Sequence, residues 1–136
     1  MNIIEPWVVD CLNFEDPRGS LHVLDNLSKF AFVPQRIFIV TEIPEGMSRG
    51  SHAHKEAWQM LIAINGFVEI EIENIHSRTK FVLTSSEKAL CVPPNNWLEF
   101  RTENVTTSLI VLASTVFDEK DYIHERPSRH EVPYGQ

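Results

Sequence analysis

The chain has 136 residues, a hydrophobic fraction of 43% and a charged fraction of 23%, which are ordinary for one globular domain and exclude disordered and fibrous classes. Its formal net charge of −7 argues against broad binding to nucleic acid or anionic membranes, because both surfaces repel an acidic protein. No apolar run approaches the roughly 20 residues that span a bilayer. The N-terminus carries Glu5 and Pro6 in place of a basic signal region. We therefore expect a cytoplasmic protein that binds neither nucleic acid nor membrane.

Short apolar runs rich in β-branched residues predict an all-β domain. The strongest signal is residues 67–73 (FVEIEIE), where apolar and acidic residues alternate as on a strand with one buried face. In chain order, strands are predicted at residues 21–24, 36–43, 59–64, 67–73, 79–83, 89–92 and 108–113. Residues 118–126 then predict a short helix or an extended tail. Residues 127–136, which are polar and contain two prolines, predict a flexible end.

Turn residues separate the predicted strands, at residues 16–19 (DPRG), 44–46 (PEG), 65–66 (NG) and 93–96 (PPNN). Asn65-Gly66 between two apolar runs predicts a two-residue hairpin turn that joins strands 59–64 and 67–73. Short strands that recur about every 8 to 12 residues are typical of a sandwich, a jelly roll or a barrel. We therefore expect residues 1–136 to form a single domain of this class.

The segment from Gly46 to Gly66 holds the residues best suited to chemistry. Within it, His52 and His54 are separated by one residue, and Gln59 follows. Residues two apart on a strand point to the same face, so both imidazoles are expected to enter the interior of the fold. Two convergent imidazoles can bind a metal or move protons. The alternative is that they are ordinary histidines beside a turn.

This spacing resembles the first motif of the cupin superfamily, which implies a jelly-roll β-barrel. In metal-binding cupins the first motif supplies two histidines and a glutamate, and a second motif supplies another histidine. Here Gln59 stands at the glutamate position and Leu98 at the second histidine position. An amide and a leucine leave too few ligands for zinc, iron or manganese. We therefore expect no metal and no cofactor, and we expect Cys11 and Cys91 to be buried, reduced thiols.

A narrower resemblance covers most of the chain. The strings at residues 17–21 (PRGSL), 35–38 (QRIF), 49–55 (RGSHAHK), 93–97 (PPNNW) and 117–123 (FDEKDYI) resemble those of the WxcM-like, FdtA/QdtA-type sugar 3,4-ketoisomerases. The resemblance implies an isomerase of deoxysugar biosynthesis, including that of lipopolysaccharide O-antigen. It further implies a dTDP-linked 4-keto-6-deoxyglucose substrate and a homodimer.

The resemblance also implies roles for particular residues. His52 and His54 would lie beside the sugar, one of them as the base. The guanidinium groups of arginines suit a pyrophosphate because they offer a fixed fork of donors. The candidate substrate-binding residues are Arg18, Arg36, Arg49, Gln59 and Trp97. Trp97 is expected either to stack on a base or sugar or only to fill the core.

Several positions depart from the family pattern. Phe38 and Ile39 replace tyrosines, and Leu98 replaces a histidine found in some members. The loss of these proton shuttles slightly favours C3 epimerisation of a dTDP- or CDP-linked 4-keto-6-deoxyhexose over 3,4-ketoisomerisation. Epimerisation needs an acid–base group on each face of the sugar, and Tyr122 or a water is the candidate for the second face. A non-catalytic sugar-nucleotide-binding cupin and a metal-dependent oxygenase are the alternatives of other classes.

Overall fold

The computed structural model describes residues 2–25 and 32–127. Within these ranges the chain forms twelve strands and one 3-10 helix, and no α-helix. The strands are β1 (Trp7–Asp10), β2 (Leu12–Asp16), β3 (Gly19–Val23), β4 (Arg36–Val40), β5 (Arg49–His54), β6 (Gln59–Ile64), β7 (Phe67–Glu73), β8 (Arg78–Thr84), β9 (Lys88–Val92), β10 (Trp97–Thr102), β11 (Ser108–Ala113) and β12 (Tyr122–Ile123). The 3-10 helix (Glu119–Asp121) directly precedes β12.

Ten of these strands form two five-stranded antiparallel sheets, and β2 and β3 form a separate ribbon. Sheet I has the order β1-β9-β6-β11-β4, and sheet II has the order β12-β5-β10-β7-β8. One apolar cluster joins the two sheets, with Leu61 and Val111 from sheet I against Ile70 and Phe100 from sheet II. The expected all-β fold of the cupin jelly-roll type is confirmed, as two facing sheets that hydrogen-bond separately.

Apolar alternation decides which face of each strand meets the core. On β7, Val68, Ile70 and Ile72 are each at most 2% exposed, while the intervening glutamates point outward. β10 follows the same rule, with Leu98 and Phe100 turned inward. The predicted bounds 67–73 of this alternating strand are confirmed, as are the bounds 59–64 and 108–113 of two nearly continuous apolar strands. β4 ends at Val40, before the predicted 43, and Glu42 shortly beyond it has a left-handed φ of 57°.

The prediction of a hairpin at Asn65-Gly66 is wrong. The turn exists, with positive φ at both residues, but β6 lies in sheet I and β7 in sheet II. Both edges of β6 are taken by β9 and β11, and both edges of β7 by β8 and β10. The turn therefore arches from one sheet to the other, and Thr107 Oγ1 holds it by donating to the Asn65 carbonyl at 2.8 Å.

The C-terminal segment crosses back to the histidine strand. Residues 118–126, predicted as a short helix or an extended tail, contain the 3-10 helix and then the two-residue β12. β12 pairs with β5, which sets Tyr122 opposite His54 and Ile123 opposite Ala53. Of the predicted flexible end, residues 128–136 lie outside the described residues. This crossover brings Tyr122 and Ile123 beside the histidine motif.

The ribbon of β2 and β3 has one apolar face. Leu12 pairs with Val23 and Phe14 with Leu21, so all four side chains share a face. Leu12, Phe14 and Leu21 are 51%, 56% and 60% exposed. The opposite face carries polar residues, among them Asn13 and His22.

Both cysteines are buried and free, as expected. Burial raises the pKa of Cys91 to about 12, so its thiol stays protonated and unreactive at neutral pH. In residues 2–25 and 32–127 there is no helix whose length and apolar content would let it cross a membrane.

Candidate active site

A cavity of about 560 Å³ opens between the two sheets. From sheet II, His52, Leu98, Phe100 and Tyr122 line it. From sheet I and the chain just after β4, the lining is mostly apolar: Phe38, Ile39, Val40, Thr41, Gln59, Leu61 and Val111. A mostly apolar cleft with a few convergent polar groups is the usual form of a small-molecule site.

His52 presents its imidazole to this cavity. The ring is half-buried, and its Nδ1 lies 3.0 Å from the carbonyl oxygen of Gly50. Burial lowers the pKa of His52 below 6.5, and the bond to the Gly50 carbonyl offsets this only in part. The His52 imidazole is therefore neutral at pH 7.

His54 lies behind the cavity wall, paired with a carboxylate. It is only 4% exposed, and its Nδ1 donates to Asp121 Oδ2 at 2.9 Å. Burial lowers the pKa of His54, and the hydrogen bond to Asp121 counters part of the effect. Its other ring nitrogen, Nε2, is buried and has no hydrogen-bond partner among the described residues. The imidazole is thus held neutral, with one nitrogen fixed by the carboxylate.

Asp121 is itself fixed by the backbone of the turn after β5. Its Oδ1 accepts from the Glu56 amide at 2.7 Å, and its Oδ2 accepts from the Ala57 amide at 3.3 Å. Burial alone would raise the pKa of Asp121, but these donors and His54 outweigh it and lower the pKa below 3.8. The carboxylate is therefore ionised at neutral pH and cannot rotate away from His54.

Tyr122 packs against both histidines. Its ring centroid lies 4.9 Å from that of His52 and 4.5 Å from that of His54. The two imidazoles are 5.1 Å apart and perpendicular. The structure thus brings together the three residues that the sequence suggested for proton transfer, although only His52 and Tyr122 line the cavity.

The three candidate arginines lie in different surroundings. Arg49 lines the cavity. Arg36 lies over the rings of Phe38 and Phe117, at 5.5 and 5.8 Å from their centroids, and its buried Nε has no partner among the described residues. Arg18 is at the tip of the ribbon, with a side chain 90% exposed and ion-paired to Asp16 at 2.6 Å. Within this chain, Arg18 does not reach the cavity.

Gln59 and Trp97 also separate. Gln59 is buried and lines the cavity. Trp97 precedes the inward-facing Leu98 on β10, so its indole points to the other face of sheet II. There Nε1 donates to Glu99 Oε1 at 3.2 Å. The structure does not bring Trp97 to the cavity, and its position fits the alternative in which the indole only fills space.

Asp121 is the residue that sequence reasoning missed. It stands in the string 117–123 that carried part of the family resemblance, next to Tyr122. An acidic residue beside a candidate acid–base residue was the available signal. Its pairing with His54, however, depends on the crossover of β12, which no local pattern indicates.

In the parts of the chain that the structure describes, no three His, Cys, Asp or Glu side chains converge as a metal site. Gln59 and Leu98, at the positions where the resemblance implies ligands in metal-binding cupins, both line the cavity.

Comparison with known proteins identifies the relatives of this chain. The family model described as "FdtA: WxcM-like, C-terminal" matches residues 5–131. The chain belongs to this family. A TDP-4-oxo-6-deoxy-alpha-D-glucose-3,4-oxoisomerase from Aneurinibacillus thermoaerophilus is 29% identical over 122 residues, which cover 90% of this chain and 88% of that protein. Such relatives identify the protein as an isomerase.

Two solved structures of 3,4-ketoisomerases superpose closely on this chain. A 3,4-ketoisomerase from Helicobacter canadensis has 31% identity and a TM-score of 0.82, covering 90% of this chain and 92% of the other. A mutant of the 3,4-ketoisomerase QdtA from Thermoanaerobacterium thermosaccharolyticum, in complex with TDP-4-keto-6-deoxyglucose, has 26% identity and a TM-score of 0.83, covering 91% and 90%. The relatives therefore share both the fold and the extent of this chain.

Proposed function

We propose that this protein interconverts the 4-keto and 3-keto forms of a nucleotide-linked 6-deoxyhexose, with thymidine diphosphate as the carrier. The relatives described above act on or bind sugars of this kind. A cavity of about 560 Å³ suits a small molecule of this class. The observation that carries the proposal is the pairing of a neutral His52 with Tyr122 on one wall of that cavity.

His52 is the proposed base. In a 4-keto sugar the carbonyl acidifies the hydrogen on C3, and a neutral imidazole with a pKa somewhat below working pH can remove it. The electrons move into an enolate whose negative charge is on O4. His52 then returns the proton to C4, while the hydroxyl proton on O3 passes to O4, leaving a C3 carbonyl. The Tyr122 hydroxyl is the proposed carrier of that second proton.

His54 and Asp121 are proposed as positioning residues. His54 does not line the cavity, but its ring packs against both His52 and Tyr122. Because Asp121 fixes Nδ1 of His54, the imidazole forms a rigid back wall for the two residues that meet substrate. Catalytic groups supported in this way keep the geometry that proton transfer needs.

Ketoisomerisation, rather than the C3 epimerisation that the sequence slightly favoured, agrees with the arrangement of the cavity. His52 and Tyr122 are on sheet II, while Phe38, Ile39, Leu61 and Val111 on the facing wall carry no titratable group. Epimerisation needs an acid and a base on opposite faces of the ring. Moving a proton between two adjacent carbons needs only one base on one face. This distribution supports the one-face reaction.

Arg49 and Arg36 are the proposed contacts for the diphosphate. Arg49 is exposed at the cavity, where a guanidinium can form paired hydrogen bonds to phosphate oxygens. The buried Nε of Arg36 has no partner among the described residues, and unpaired buried donors are rare unless a ligand or water satisfies them.

A homodimer is the proposed assembly. The apolar face of the ribbon, with Leu12, Phe14 and Leu21 more than half exposed, supports it. An isolated two-stranded ribbon is marginally stable in water and needs a hydrophobic surface to pack on. A second copy of this chain would provide that surface.

The test is proton and carbon NMR of dTDP-4-keto-6-deoxyglucose, and of its CDP counterpart, with the protein in deuterated water. We expect loss of the C3 proton signal and a new carbonyl at C3 with the dTDP sugar. His52→Asn should slow the reaction by about 100-fold or more, the usual contribution of a positioned base. His76→Asn, on the exposed loop between β7 and β8, is the matched control and should retain activity.

Three results would contradict the proposal. A product with a C4 carbonyl and inverted C3 would identify an epimerase. A C3 proton that does not exchange, with ligand nevertheless bound, would identify a non-catalytic binding protein. Equal turnover of the CDP sugar would overturn the choice of thymidine.

A further inference from the structure

A β-bulge precedes His52 on β5. On β10, Leu98 pairs with His52, and the next residue, Glu99, pairs with Gly50. Ser51 lies between these two pairs on β5 and is the extra residue of the bulge. Both bulge residues have left-handed φ angles, 97° at Gly50 and 60° at Ser51. Bulges of this kind redirect the side chain beside them and are frequent next to active sites.

Only glycine fits at position 50. A Cβ there would lie 2.7 Å from the carbonyl oxygen of Leu98 and 3.2 Å from its Cδ1. Leu98 lines the cavity, so the bulge packs directly against a residue of the cavity wall. Gly46 gives a contrast: its φ of 82° is also left-handed, but a Cβ added there would meet nothing within 4 Å.

The bulge turns the Gly50 carbonyl back onto the histidine two residues later, where its oxygen lies 3.0 Å from His52 Nδ1. A carbonyl oxygen can only accept a hydrogen bond. A neutral imidazole in this position therefore carries its proton on Nδ1 and keeps its lone pair on Nε2. His54 also carries a proton on Nδ1, but there the acceptor is the carboxylate of Asp121.

We propose that the bulge at Gly50 and Ser51 sets the tautomer of His52, so that Nε2 is the basic nitrogen offered to the cavity. Gly50, which borders the cavity beside His52, is then a positioning residue that acts through the imidazole. The inference rests on the proposed function for the role of the base, but its claim concerns the imidazole itself. The tautomer can therefore be measured without any turnover.

The first experiment uses the wild-type protein labelled with ¹⁵N at histidine. Long-range proton–nitrogen correlations at about pH 8, where neutral imidazole dominates, distinguish a protonated ring nitrogen from one with a lone pair. We expect a single His52 tautomer with the proton on Nδ1, assigned by the loss of its signals in His52→Asn. A proton on Nε2, or an equal mixture, would overturn the inference.

The second experiment compares Gly50→Ala with Gly46→Ala. Both add a Cβ at a left-handed position, but only the first meets Leu98. We expect Gly50→Ala to give mixed tautomers at His52 and a kcat lower by about 10- to 100-fold, with KM changed far less, as for a small displacement of a catalytic group. Gly46→Ala should retain the wild-type tautomer and kcat.

The outcomes separate this inference from the proposed function. A Gly50→Ala protein with wild-type tautomer and kcat would refute the inference. If that variant does not fold, Ser51→Gly, which relieves a left-handed strain without a clash, must retain the Nδ1-protonated tautomer. A wild-type protein that shows this tautomer but does not isomerise the sugar would support the inference and refute the proposed function.

Discussion

At the scale of single residues, His52 and His54 share one face of β5 and yet have different surroundings. His52 borders the cavity and bonds to a backbone carbonyl. His54 is 4% exposed and bonds to Asp121. Burial lowers the pKa of both imidazoles, so both are neutral at pH 7. The local backbone and the crossing of β12 thus give two neighbouring imidazoles different partners.

The pH dependence of activity follows from the environment of His52. As the proposed base, His52 must be neutral, and burial lowers its pKa below 6.5. We therefore expect kcat/KM to be constant from pH 8 to 7 and to fall only below pH 6.5, as His52 gains a proton. A pH–rate profile with the dTDP sugar checks this. An acid limb centred at or above pH 6.5 would contradict the burial of His52.

Asp121→Asn should destabilise the fold in a pH-dependent way. The carboxylate accepts from His54, Glu56 and Ala57, and an amide cannot accept all three bonds, so we expect a loss of about 1–3 kcal/mol at pH 7. Because the pKa of Asp121 is lowered below 3.8, its stabilisation is complete above that pH and disappears as pH falls through the folded pKa.

Urea unfolding at pH 7 and in steps below pH 3.8 measures this difference. The difference in the free energy of unfolding between wild type and Asp121→Asn should become smaller as the pH falls. Asp10→Asn, at an exposed position on β1, is the control and should change stability little. A difference that stays constant with pH would mean that the charge of the Asp121 carboxylate does not stabilise the fold.

At the scale of elements, the two-residue β12 carries Tyr122 and depends on anchors at both ends. Before it, the Asp121 carbonyl accepts from the Lys55 amide at 2.8 Å. After it, Arg126 Nε donates to Glu73 Oε2 at 2.6 Å, and Glu73 is only 8% exposed. A strand this short has little stability of its own, so the ion pair on the outer face of sheet II fixes a residue on its inner face.

Glu73→Gln should loosen β12. We expect a loss of about 1–3 kcal/mol in the free energy of unfolding, because Glu73 loses its charged bonds to Arg126 and, at 3.4 Å, to Arg78. We also expect faster hydrogen exchange at the Lys55 amide and a lower kcat/KM. Glu69→Gln, on the same strand as Glu73, is the matched control. It breaks a more exposed pair with Lys80 of β8 and should cost at most about 1 kcal/mol. Unchanged exchange at Lys55 in Glu73→Gln would rule out the anchor.

What the sequence predicts at this scale depends on how local the signal is. The strands at 59–64, 67–73 and 108–113 follow from strong apolar patterns, and the histidine pair follows from its spacing. β12 has no pattern of its own and exists because β5 offers it an edge. The pairing of Asp121 with His54 depends on the same edge, so no local pattern predicts it. The Asn65-Gly66 hairpin was predicted wrongly because turn residues do not specify which sheet receives the next strand.

At the scale of the whole molecule, the titratable side chains that line the cavity are all on one of its two walls. Sheet II contributes His52 and Tyr122, and sheet I contributes mainly apolar side chains. The net charge of −7 makes the protein acidic, and Arg36 and Arg49 provide positive charge locally. Such a protein can hold an anionic nucleotide at one place while it repels nucleic acid elsewhere.

The ribbon gives a prediction about assembly. Phe14→Glu places a charge on the apolar face of the ribbon, so we expect it to convert a dimer into a monomer. Ser20→Glu adds the same charge to the polar face and should leave the dimer intact. Light scattering after size exclusion measures both masses. A wild-type protein with the mass of one chain would refute the proposed dimer.

The bond between His54 and Asp121 joins residues 67 positions apart in the chain. At roughly 5–20 residues per second, the ribosome needs about 3 to 13 seconds to synthesise the intervening segment. Throughout that time both histidines are already part of the nascent chain, while the carboxylate of Asp121 and the phenol of Tyr122 that pack beside them are not yet made. Asp121 and Tyr122 are therefore added to the histidine pair only after all the other strands of both sheets have been synthesised.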